Sequence, residues 1–184
     1  KMMSLADVQW EYEIIEAYTY VAEMRRLYNQ TNGDKGAFVV ATNASLGLDG
    51  ARAEDHPIWC AMYDSLGKVG VLSIGATANE NVNVDVDGDM PTSCTSQYLI
   101  SVNMVDKSGD RILSTGYGAV SIDLGAPGDV VYTTGDLDPG PGVTPGISKI
   151  SGTSASAPHV TGAVALLYSM SCETFTSDAL EAPA

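Results

Sequence analysis

At 184 residues with 45% hydrophobic content, the chain is long enough to bury a core and short enough to form one domain. Its net charge of −14 argues against a nucleic-acid partner, whose phosphates it would repel, and suits a protein that binds cations. No apolar run approaches the roughly 20 residues that span a bilayer, so no membrane partner is expected, and Lys1 to Glu16 lacks the apolar stretch of a signal peptide.

Residues 8 to 28 place Val8, Trp10, Ile14, Ile15, Tyr18, Val21, Ala22, Met24, Leu27 and Tyr28 at helical spacing. Glu11, Glu13 and Glu16 come early and Arg25 and Arg26 late, which suits the helix dipole. The spacing predicts a long amphipathic helix that ends before Asn32-Gly33. Gly36 to Asn43 reads as a short buried strand leading into Ala44-Ser45-Leu46-Gly47. His56 precedes a second helix, Ile58 to Leu66, where a surface or N-cap role suits it. Val69 to Thr77 is the next buried strand, followed at once by Ala78-Asn79-Glu80-Asn81.

Asp85, Asp87 and Asp89 stand close together with no nearby Lys or Arg. Such carboxylates beside a Gly could ligate calcium, yet alternating Asp and Val equally fits a solvated strand edge, and the Glu that closes an EF-hand loop is lacking. Tyr98 to Val105 and Val120 to Leu124 read as strands. Val130 to Thr134 and Gly146 to Ser151 are expected to pair as a hairpin around a Gly/Pro-rich loop from Asp136 to Pro145. Three cysteines, Cys60, Cys94 and Cys172, leave at least one thiol without a partner inside the chain, and their pairing is open. None lies beside a His at metal-ligand spacing.

The stretch Gly152-Thr153-Ser154-Ala155-Ser156-Ala157-Pro158-His159-Val160-Thr161-Gly162 opens a helix expected to run from about Ser154 to Ser169. Hydroxyl residues cap helix N-termini and Pro is tolerated in the first turn. Ser154 is thus placed beside unpaired amides at the positive end of a helix dipole. Read locally, it is a cap. Gly162, Ala163 and Ala165 are small enough for a central helix to approach its neighbours closely, and His159 reads as a satisfied buried residue.

This run resembles the serine-nucleophile motif of the subtilisin-like serine proteases, the subtilases. The resemblance implies an α/β fold of three layers, α/β/α, around a mostly parallel sheet, and makes Ser154 the nucleophile. It makes Asn79, at the end of its strand, the side-chain donor to the oxyanion. The strand end Ser45-Leu46-Gly47 resembles the family's substrate-pairing strand, whose main-chain bonds to a polypeptide give affinity without demanding particular side chains. Ala78 stands where the family usually has Gly, and its methyl would narrow the first substrate pocket. Ser114 to Gly118 and Ala126-Pro127-Gly128 resemble further turns of the family. No cofactor is implied beyond a structural calcium, and an extracellular or periplasmic location follows from the resemblance.

A serine hydroxyl needs a base, and that base a carboxylate. The family's Asp and His motifs are not found, and neither His56 nor His159 matches the base. The expectation is a partial catalytic domain, incomplete on its N-terminal side: an endopeptidase as a whole protein, inactive as this chain, with exposed sheet edge or face open to self-association. Two alternatives are a degenerate, non-catalytic binding or structural module, and another hydrolase. Against the latter, the Gly-x-Ser-x-Gly elbow of the α/β-hydrolases is absent.

Overall fold

A computed structural model describes residues 11–135 and 146–170. Its centre is a four-stranded sheet in the order β1 (Ala41–Ala44), β3 (Leu72–Ala76), β5 (Leu99–Val105), β6 (Leu124–Pro127), parallel throughout. Helices cover both faces: α1 (Glu11–Gln30) and α2 (Pro57–Gly67) on one, α4 (Thr153–Tyr168) on the other. Two short antiparallel ladders flank it, β2 (Leu48–Asp49) with β4 (Asp89–Met90), and β7 (Val131–Thr134) with β8 (Ile147–Ile150). One helical turn, α3 (Val84–Asp87), precedes β4. The expected α/β architecture with a mostly parallel sheet is present.

Helix α1 buries Ile14, Tyr18, Val21 and Arg25, a stripe at spacings of three and four residues. Against it α2 packs Trp59, Tyr63 and Leu66, all fully buried, and the disulfide Cys60–Cys94 ties α2 to the segment after β4. Cys172 lies outside the described residues. Arg25 has only 1% exposure, yet it meets no carboxylate among the described residues. Its Nη1 donates to Val39 O at 2.8 Å, its Nε to Asn29 Oδ1 at 3.0 Å, and its guanidinium stacks 4.3 Å over the Phe38 ring. The opposite face is built from Ile74, Ala76, Val102 and Ala126 under Ala157, Val160 and Val164 of α4. Alternation along β3 and β5 sends Ile74, Ala76 and Val102 to α4 and Leu99 to the other side.

Three expectations shift. The strand predicted over Gly36 to Asn43 pairs only from Val40 onward, because the earlier part crosses the end of α1, where Ala37 N–H donates to Met24 O. The strand predicted over Val120 to Leu124 becomes β6, three to four residues later. The amides of Ala119, Val120 and Ser121 are all taken by the Asp85 carboxylate, at 2.7, 3.1 and 2.8 Å, and so cannot join a ladder. Gly162, Ala163 and Ala165 face outward, and a methyl on Gly162 would meet nothing within 4 Å. The close approach expected there has no counterpart among the described residues. The predicted hairpin forms, while its loop, residues 136–145, lies outside the described residues.

Candidate active site

The parallel strands deliver two segments to one end of the sheet, Ser45-Leu46-Gly47 after β1 and Thr77-Ala78-Asn79 after β3. Helix α4 begins opposite them. Its N-cap, Gly152, has φ +138°, a conformation that strains any side chain, and a Cβ there would sit 3.0 Å from Asn79 Oδ1. Thr153 follows, fully buried, and locks the junction. Its Oγ1 donates to Thr77 O at 2.6 Å, and its backbone N–H donates to Asn79 Oδ1 at 2.9 Å. Ser154 is exposed between buried neighbours, Thr153 and Ala155. Its Oγ lies 3.5 Å from Ser45 O, and Ser45 Oγ donates to Ser154 O at 3.0 Å.

These contacts fix the polarity of Asn79. With Oδ1 accepting from Thr153, the amide Nδ2 is left without a hydrogen-bond acceptor among the described residues, on a side chain exposed at the cleft. The backbone N–H of Ser154, in the first turn of α4, has no intrahelical partner. Two unused donors thus flank one exposed hydroxyl. Ser45, Leu46, Gly47, Ala78, Asn79 and Ser154 together line a cleft of about 210 Å³, with Asp49, Ala76, Thr77, Glu80, Asp89 and Thr153 completing it. All six residues that the motifs single out for catalysis and substrate binding are brought together there.

The profile of the subtilase family (peptidase S8) matches residues 7–182. The chain belongs to the subtilase family. An extracellular basic protease of Dichelobacter nodosus is 33% identical over 127 residues, 69% of this chain and 20% of that protein. Alkaline protease 1 of Aspergillus clavatus is 32% identical over 140 residues, 76% of this chain and 30% of that protein. Among solved structures, a lanthipeptide protease superposes with a TM-score of 0.70 at 20% identity, covering 92% of this chain and 54% of the other. A cold-adapted subtilisin-like serine proteinase gives 0.66 at 21% identity, over 91% and 51%. This subtilase chain therefore spans 20% and 30% of those two curated relatives and about half of those solved structures.

Neither histidine lines the cleft. His56 is the N-cap residue of α2, and its Nδ1 lies 2.9 Å from Glu11 Oε2. His159 is exposed rather than buried, its Nδ1 2.7 Å from Ala155 O one turn back along α4.

The three aspartates read as calcium ligands do not form one ligand set, and among the described residues no three acidic, His or Cys side chains gather for a metal. Their segment is the helical turn α3, capped by Asn83, followed by β4. This geometry points the carboxylates apart. Asp85 is engaged by the loop 119–121. Burial pushes its carboxyl up, but the bonds from Ser121, Val120 and Ala119 outweigh that and hold it below the usual carboxylate range. Asp87 is exposed.

Asp89 is 1% exposed and lies under the cleft. Its Oδ2 accepts from Thr77 Oγ1 at 2.9 Å, from the Ala78 N–H at 3.0 Å and from Thr92 Oγ1 at 2.6 Å. Burial raises its pKa more than these donors lower it, with the Asp49 charge adding to the rise. Sequence reasoning missed this supporting role, and missed Asp49 and Glu80 as cleft residues. Their only sequence signal is proximity to the two strand ends.

Proposed function

We propose that this chain carries the nucleophile half of a serine endopeptidase site whose substrate is a polypeptide. Ser154 Oγ attacks the scissile carbonyl, forming the C–O bond of a tetrahedral intermediate. The oxyanion is received by Asn79 Nδ2 and the Ser154 N–H, and the peptide backbone lies along Ser45-Leu46-Gly47. The observation that carries this reading is the convergence of an exposed Ser at a helix N-terminus with an oriented Asn amide that has a free donor. One such side-chain donor is worth about 2.7–4 kcal/mol, a magnitude measured in a subtilisin, a member of this same family.

The attacking hydroxyl must lose a proton, and no His lines the cleft. The whole protein is therefore proposed to be active through a base and carboxylate contributed from outside this chain, and the chain alone to be inert. The same absence is what favours the second reading, a non-catalytic module. Assaying peptide hydrolysis separates them. The whole protein should cleave and its Ser154→Ala variant should lose activity by about 10⁶-fold. This chain alone should show no Ser154-dependent turnover. A whole protein that does not cleave would favour the module.

An extracellular location is part of the proposal. It is supported by relatives named as extracellular proteases and by the Cys60–Cys94 disulfide, a bond that persists in oxidising compartments. Self-association through the edge strand β1 or the outer face of α4 is supported by exposed Leu166 and Leu167, at 70% and 48%.

A further inference from the structure

We infer that the cleft beside Ser154 selects a cationic side chain, Arg or Lys, of the bound polypeptide, with Asp89 as the buried anion that receives it and Asp49 and Glu80 at the rim. The inference rests on the peptidase reading above and deepens it.

Charge is the first observation. Asp49, Glu80 and Asp89 line the cleft, and among the described residues no Lys, Arg or His does. Register is the second. Asp49 and Asp89 are direct partners in the antiparallel pair β2–β4, so their side chains share one face. Like charges opposed across a ladder repel each other, and a cation between them removes that cost.

The third observation is the state of the Asp89 carboxylate. All three of its donors converge on Oδ2. Oδ1 accepts no hydrogen bond from the described residues. Asp89 is 1% exposed and lines the cleft. The acceptor is thus held rigidly by the strand ends that carry Asn79, with one oxygen left for a guanidinium or ammonium donor. The net charge of −14 attracts the same ligands at longer range.

The test titrates this chain with two fluorescently labelled tetrapeptide amides, identical except for a C-terminal Arg or Leu. The Arg peptide should bind at least about 30-fold more tightly, and both Asp89→Asn and Asp49→Asn should cut that ratio. Asp49 is exposed, so its variant carries the test should circular dichroism show Asp89→Asn unfolded. Equal binding of the two peptides, binding of neither, or a ratio indifferent to both substitutions overturns the inference. Hydrolysis by the whole protein is scored separately. Equal cleavage after Arg and Leu would leave the peptidase reading standing and sink this one. Arg-selective binding without cleavage would support this one and sink the peptidase reading.

Discussion

The two faces of the sheet are built differently. Under α1 and α2 the core is large and aromatic: Trp59, Tyr63, Leu66, Val71 and Met90 are fully buried, Tyr18 meets Tyr63 edge-on, and a disulfide pins the layer. Under α4 the buried residues are mostly Ala and Val, and the helix turns Leu166 and Leu167 to its outer side. The first face is expected to carry most of the stability. The second holds the candidate nucleophile at its helix N-terminus, so substitutions there should cost less stability.

Breaking the aromatic face should have the largest effect. Trp59→Ala removes a side chain with no exposure together with the Nε1–H bond to Tyr63 OH at 2.8 Å, and should destabilise by about 3–5 kcal/mol in denaturant titration. Removing the disulfide by Cys60→Ser with Cys94→Ser frees a loop with a sequence separation of 34 and should cost about 2–4 kcal/mol in the same assay.

A pH titration sharpens the contrast next. Burial raises the Tyr18 pKa to about 12 against an ordinary 10.0, more than its bond to Tyr63 lowers it, and Tyr63 is raised as well. The folded state holds these protons more tightly than the unfolded chain. The stability so gained is present below pH 10 and is lost as pH rises from about 10 to 12. Tyr18 alone should account for about 2–3 kcal/mol of that loss. Tyr18→Phe should flatten the stability-versus-pH curve over that window, and an unchanged slope would contradict the assignment. The smallest effect is expected on the other face. Val164→Ala deletes two methyl groups beside the sheet and should cost about 1–2 kcal/mol. A loss as large as that of Trp59→Ala would remove the distinction between the faces.

Much of the candidate site was legible because its residues sit in short motifs close to strand and helix ends. Gly152-Thr153-Ser154 opens α4, and Asn79 follows β3, as the local pattern of residue types predicts. The acidic segment was not legible in this way. Asp85, Asp87 and Asp89 share a spacing in sequence but not a destination, since one caps a loop, one faces solvent and one is buried under the cleft. Spacing cannot foresee partners such as Ala119 and Thr77, which come from elsewhere in the chain.

The sequence by itself determined the alternation of helices and strands, the Ser154 motif and the lack of a matching base, because these depend on residue type and local order. Tertiary structure decided what depends on long-range pairing. It joined Cys60 to Cys94, turned the Asn79 amide by way of Thr153, and set Asp49 opposite Asp89 at the cleft. Each of these requires segments distant in sequence to meet at one end of a parallel sheet, which only the folded register can arrange.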